Sequence, residues 1–242
     1  MKKIIVIPFL LVMFLSCNAQ EKDRILIFTK TAGFVHESIP DGKAAIMKAG
    51  KERGIGVDTT SKASYFTNEN LKKYKAVVFL NTTGDVLEEE RQRTFEEYMR
   101  GGGGFAGIHS AADTEYEWPW YGKLVGGYFK SHPHIQNAVV KVVNRDHPST
   151  KHLPESWDRR DEWYNYKDLN PAVTVLAQLD EQSYEGGENG SHHPIAWYHF
   201  YDGGRAFYTG GGHTSESYWE PDFFEHVMEG IIWAADLQKV QD

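Results

Sequence analysis

Three short apolar runs, separated by stretches with helical spacing, constrain this chain most. They are RILIFT at 24–29, KAVVFLN at 75–81 and FAGIH at 105–109. Runs that are apolar at every position, not at alternate ones, belong to strands covered on both faces. The intervening segments 38–53 and 87–100 read as helices, the first ended by Gly54 and Gly56, the second by the glycines at 101–104. A further strand is expected at 57–60. Strand and helix in alternation predict an α/β fold: a doubly wound, mainly parallel, flavodoxin-like sheet with helices on both faces. The second half is richer in β structure, with strands expected at 137–144, 160–166, 172–179, 193–201 and 204–209. Asp202-Gly203-Gly204 forms a hairpin turn between the last two, and a closing helix is expected at 221–237. The glycine-rich loop 185–193 is the expected mobile segment.

The ends of the chain set its address. Met1-Lys2-Lys3 is followed by an almost wholly apolar stretch, Ile4 to Leu15, then Ser16-Cys17. That pattern reads as a signal peptide at 1–16, too short to span a bilayer stably. Phe14-Leu15-Ser16-Cys17 resembles a bacterial lipobox, with Cys17 as the lipidated residue; the alternative is a plain secretory signal cut after Ala19 or Gln20. The expected plan is a leader (1–16), a short tether (17–23) and one domain (24–242). The protein is then exported and held by a lipid anchor at the periplasm or cell surface. Cys17 is the single cysteine. The folded part therefore has no disulfide, no thiol nucleophile and no thiolate metal site. The net charge is −8 at pH 7. Such a chain offers no electrostatic footprint for nucleic acid, and contact with a membrane is expected only through the anchor.

Ligands of open parallel sheets bind beyond the carboxyl ends of the strands. His36 follows the first strand, and His109, Ser110 and Asp113 follow the fourth. In many α/β enzymes the elbow after such a strand carries a Ser or Cys nucleophile; here it carries His109. His132 and His134 flank Pro133 and would project to one side of an extended segment. Glu162, among Trp157, Trp163, Tyr164 and Tyr166, is expected to have its pKa raised by apolar surroundings, which suits proton transfer. Its Asp161 neighbour reads as solvated or paired. His213 ends a strand after three glycines. Trp118, Trp120, Tyr164 and Trp197, with Asp113, are candidate sugar contacts, since aromatic faces stack on sugar rings. His192 and His193 read as solvated loop residues.

These motifs together resemble one family. ILIFTKTAGFVHESIP at 25–40, GGGGFAGIHSAADT at 101–114, GGYFKSHP at 126–133, DEWY at 161–164 and PIAWYHFYDGGRAFYTGGGHT at 194–214 look like the ThuA-like family, named for trehalose utilisation. The resemblance implies a fold similar to the class I glutamine amidotransferases and a role in carbohydrate breakdown through 3-keto sugars. It also implies His36, His109, Ser110, His132, Glu162 and His213 as shared polar positions. The amidotransferases carry a cysteine where this chain has His109, so thioester amidotransfer is excluded.

The chemistry left to such a pocket is metal-assisted or metal-free acid–base work on a glycoside or oxidised (3-keto) sugar. His109 and Glu162 are the expected proton-transfer groups, with Ser110 a weaker nucleophile candidate. His36, His132 and His213 are the expected ligands of a divalent cation, zinc first. A ketone at C3 acidifies the C2 proton, which opens elimination or isomerisation; hydrolysis is the further outcome. The rival from another class is a non-catalytic sugar-binding lipoprotein.

Overall fold

The structure, a computed structural model, describes residues 23–238. The expected leader at 1–16 and the expected anchor at Cys17 lie outside the described residues. The parallel half is built from β1 (Arg24–Phe28), α1 (Ile39–Arg53), β2 (Gly56–Thr60), α2 (Asn68–Leu71), β3 (Ala76–Leu80), α3 (Glu89–Arg100) and β4 (Gly104–Ile108). After a 3-10 turn at His109–Asp113 come α4 (Pro119–Val125), β5 (Tyr128–Ser131), β6 (Gln136–Val142), β7 (Ser156–Asp161) and β8 (Asn165–Lys167). The chain closes with β9 (Thr174–Leu179), β10 (Pro194–Tyr201), β11 (Gly204–Thr209) and α5 (Pro221–Ala234).

One sheet of nine strands runs in the order β2-β1-β3-β4-β11-β10-β9-β6-β7, and β5 pairs with β8 in a separate ribbon. The pairings are parallel from β2 to β11 and antiparallel from β11 to β7. Every residue of β3 and β4 is buried, as their uninterrupted apolar runs predict. α1 and α5 lie on one face, joined by ion pairs from Arg53 to Glu225 and Glu229. On the other face Phe95 of α3 packs on Phe79 and Phe105, and α4 adds Tyr121 to the same cluster. Gly104 lets α5 lie against β4: a Cβ there would collide with the Ala234 carbonyl.

Antiparallel pairing reverses direction at each of the last four steps, so β7 again runs with β4. Its carboxyl end therefore falls on the same edge of the sheet as those of β1, β3, β4 and β11. In a flat sheet β7 would stand roughly 19 Å from β11, at about 4.8 Å per strand. Yet residues following β7 and β11 touch directly, His213 Nδ1 lying 3.1 Å from a Glu162 oxygen. The antiparallel half thus coils around, as twisted sheets do, and brings its last strand back over the parallel half.

Three expectations need correction. The strand predicted at 160–166 is broken: β7 stops at Asp161 and β8 starts at Asn165 in another sheet. The break is made by Asp161, whose Oδ1 accepts the Glu162 N–H at 3.0 Å and removes it from the ladder. The closing helix expected at 221–237 ends at Ala234. The loop at 185–193 is not slack. Asn165 accepts from Glu188 N (2.8 Å) and donates to Gly186 O (2.9 Å), while Asn189 bridges both backbone groups of Tyr166. Among the described residues no helix is long and apolar enough to cross a membrane.

Candidate metal centre

At the elbow after β4, His109 adopts φ 49. This left-handed conformation is rare for a residue with a Cβ. The turn aims the imidazole inward, and the side chain is fully buried. Nδ1 lies 2.8 Å from the Gly210 carbonyl. A carbonyl only accepts, so Nδ1 carries the proton and the neutral ring presents a lone pair at Nε2. That lone pair faces His213 Nδ1 at 3.2 Å and Glu162 Oε2 at 3.5 Å. His36, delivered by the loop after β1, completes the group with its ring edge-on to both His109 and His213. One ligand atom from each of His36, His109, Glu162 and His213 lies within 4.8 Å of the others.

This donor set fits a small divalent cation. Tetrahedral donors about 2.0–2.1 Å from zinc stand roughly 3.3 Å apart. The three contacts among His109 Nε2, His213 Nδ1 and Glu162 Oε2 measure 3.1, 3.2 and 3.5 Å. The outer contacts also have the form metal ligands require: His109 is held by Gly210 O, and His36 Nδ1 stands 3.4 Å from Ser110 Oγ.

The electrostatics agree. Burial, then the neighbouring His109 and His213, pushes His36 down to about 3, so it stays neutral and able to ligate. Burial alone would raise the Glu162 carboxyl, but the contacts with His213 and His109, and the positive charge these imidazoles bring when protonated, outweigh it and hold the group well below the usual carboxylate range. The expected upward shift is therefore wrong in sign. The sequence shows the aromatic neighbours of Glu162 but not the imidazoles that reach it from other strands. For His213, burial lowers the pKa and the Glu162 carboxylate raises it further than that, for a net rise.

His132 stands outside the four-donor group. Its side chain is 44% exposed, with Nδ1 3.1 Å from Glu162 Oε1 and 3.0 Å from its neighbour Pro133 O. The structure thus exchanges the expected roles: His109 and Glu162 join the donors, and His132 moves to the rim. His134 is exposed. Ser110 is fully buried against His36 and is not presented as a nucleophile. Asp113 is half-buried, which raises its pKa, and accepts from Tyr116 Oη at 2.6 Å. Tyr164 packs on the His109 ring, centroids 4.2 Å apart, and walls the centre.

The tryptophans do not join the site. Trp197 is fully buried, donating to Val125 O at 2.8 Å. Trp118 is buried and donates to Glu96. Trp120 stacks on Trp118 and donates to Asp202 in the β10–β11 turn, at the opposite end of β11 from His213. Three residues were not expected to bear on the site, although Asp161 was read as solvated or paired. Asp161, buried and paired with Arg159, accepts from Gly212 N, His213 N and Ser217 Oγ, and so holds both halves of the centre. His193 is not solvated: it is fully buried, with Nδ1 2.7 Å from Glu181 and Nε2 2.8 Å from Tyr164 O. Phe34 stands at the mouth beside His36. Only the alternation of polar and apolar residues in β7 hinted at any of them.

Sheet and site together define a flavodoxin-like α/β protein with three imidazoles and one carboxylate gathered at the carboxyl edge of its sheet. The family described as ThuA, trehalose utilisation, matches residues 24–234, and the chain belongs to it. Its fold is that of a ThuA-like protein from Bacteroides uniformis (TM-score 0.75, 26% identity, covering 92% of this chain and 95% of the other). A ThuA-like protein from Parabacteroides merdae aligns equally well (TM-score 0.75, 20% identity, 91% and 92% covered). A cytoplasmic protein from Salmonella typhimurium LT2 shares the fold more loosely (TM-score 0.61, 15% identity, 88% and 98% covered). No curated protein matches the sequence. Membership ties the chain to carbohydrate metabolism.

Proposed function

We propose that the protein is an exported, lipid-anchored enzyme of carbohydrate catabolism that abstracts a proton beside the ketone of a 3-keto sugar, assisted by a divalent cation, zinc first. The observation that carries this reading is the buried set of His36, His109, His213 and Glu162 with one ligand atom each inside a 4.8 Å span. A cation held there supplies Lewis-acid stabilisation of negative charge developing on a substrate oxygen.

The chain's own residues supply the rest. His132 Nδ1 faces two acceptors, Glu162 Oε1 and Pro133 O, so its proton stays on that side and Nε2 offers a lone pair at the exposed rim. Carboxylate and imidazole form an oriented base. Nε2 takes the C2 proton. In elimination the C1–C2 double bond forms as the glycosidic oxygen leaves with the bonding pair and takes a proton from solvent. In isomerisation the C2–C3 enolate takes a proton on O3 from solvent, O2 gives up its proton, and Nε2 returns the first proton to C3 as the C2 carbonyl forms. The walls of Tyr164 and His109 keep water from the inner side. The non-catalytic sugar-binding alternative relied on Trp118 and Trp120, which are committed to packing and to Glu96 and Asp202.

The test is elemental analysis of protein purified without chelator or histidine tag, with turnover measured on a 3-keto glucoside. About one equivalent of zinc is expected, lost in His213→Ala. His132→Ala is expected to keep the metal and lose about 10²–10⁴ in kcat, the usual worth of a general base. A folded, metal-free protein with full turnover would sink the proposal. The anchor is tested separately, by lipid labelling that Cys17→Ala abolishes.

A further inference from the structure

Phe34 is exposed, rigidly held and in contact with the centre. It lies between β1 and α1 with 64% of its surface open, and Val35 beside it is 63% open. Its ring meets His36 edge-on, centroids 4.8 Å apart at 82°. It lies nearly parallel to the His213 ring, at 15° and 6.5 Å. The backbone beneath is fixed by Thr83, a buried residue that follows β3. Ala32 N donates to Thr83 O at 2.7 Å, Gly33 N to Thr83 Oγ at 3.2 Å, and Thr83 Oγ to Phe34 O at 2.8 Å. Phe34 takes no part in the hydrophobic core. Folding therefore does not require an aromatic ring here, and hydration disfavours one.

A rigid aromatic ring with a free face beside an oxygen-binding centre matches the chemistry of a pyranose. One face of such a sugar presents C–H groups that pack on an aromatic ring, while its edge presents oxygens. We infer that Phe34 is the platform on which the sugar ring lies when one of its oxygens reaches the His36–His109–His213–Glu162 centre. It then sets a preference for ring sugars over open-chain ketones. This rests on the carbohydrate reading above and names the ring contact that the buried tryptophans do not make.

The experiment measures trehalose and 3-ketotrehalose binding by calorimetry to the zinc-loaded protein as isolated. It compares wild type, Phe34→Ala and Phe34→Trp, with metal content read on the same samples. Phe34→Ala is expected to weaken binding about tenfold, the worth of one aromatic stacking contact. Phe34→Trp is expected to hold or tighten it, and zinc content is expected to stay unchanged in all three. In turnover the loss falls on KM, with kcat kept, because the contact is the same in ground and transition states. Alanine binding within twofold of wild type overturns the platform and leaves the carbohydrate reading standing. So does an alanine variant that changes only the oligomeric state, which would make Phe34 and Val35 a contact between copies. Wild type that binds neither sugar while retaining zinc overturns the carbohydrate reading itself, and the platform with it.

Discussion

His109 couples a backbone requirement to a chemical one. Its positive φ favours glycine, while the proposed metal site needs an imidazole. The two are separable by mutation. Both His109→Gly and His109→Ala should lose the metal, but glycine should be the more stable by about 1 kcal/mol, because it alone accepts the left-handed turn without strain. Urea midpoints of the metal-free variants would show it, and equal midpoints would mean the turn relaxes. Asp161 is the complementary case, a residue that supplies no donor atom and fixes the backbone of two residues that do. Asp161→Ala leaves the amides of Glu162, Gly212 and His213 without an acceptor, while Arg159 keeps Glu220 and Ser217. A loss of about 3–5 kcal/mol is expected, since three backbone amides lose their acceptor at roughly 1–3 kcal/mol for each one left buried and unpaired. Asp161→Asn keeps the shape and should cost less, about 2 kcal/mol. Zinc affinity should fall about 10–100-fold in the alanine variant and recover in part in the asparagine one. A purely structural role would leave it unmoved.

Among the elements, the glycines at 101–104 separate conformation from space. Gly102 has φ 89, and a Cβ added there would meet nothing within 4 Å, so Gly102→Ala should cost only about 1 kcal/mol. Gly104 would drive its Cβ into the Ala234 carbonyl, so Gly104→Ala must displace α5 and should cost roughly 2–4 kcal/mol. Thermal unfolding of the pair checks the order, and a reversed order would mean that α5 is not seated on β4 as described. The parallel half was legible in the sequence for the same reason that it is stable. Ile25 to Phe28, Ala76 to Leu80 and Phe105 to Ile108 are buried on both faces and therefore apolar without a break. The ends of α1 and α3 were marked by glycine. The β5–β8 ribbon was not legible, because its strands, YFKS at 128–131 and NYK at 165–167, are too short to carry a period. Trp197, expected as a sugar contact, is instead buried: its ring stacks on Tyr208 and meets Tyr166 edge-on, contacts between distant segments that the sequence does not show.

At the scale of the molecule, three buried histidines tie stability to pH. Burial lowers His36 to about 3, His147 to about 4 and His226 to about 3. Below 6.5 the unfolded chain protonates these groups while the folded one does not, so stability falls as pH falls from 6.5 toward 4. Each group contributes a slope of about 1.4 kcal/mol per pH unit. His213, with its raised pKa, works in the opposite sense: its contribution is present below 6.5 and is lost as pH rises through the folded value. Denaturant titrations of the metal-free protein at pH 7 and pH 4.5 should show the net loss on acidification. His226→Leu should reduce the slope by about one proton's worth, and an unchanged slope would remove that residue from the account. The site itself was legible only as a list of residue types. His36, His109 and His213 sit at strand ends that the sequence located, but Glu162 reaches them through the coiling of the whole sheet, which leaves no local trace. That enclosure has a kinetic consequence. Three of the four donors are buried, and they come from both halves of the fold, with 104 residues of chain between His109 and His213 alone. An ion seated among them would leave only by the rim that Phe34 and His132 flank, and only after shedding donors that two halves of the fold hold in place. Chelator should strip it slowly in buffer and much faster in mild urea, so the ion a molecule carries records where it folded.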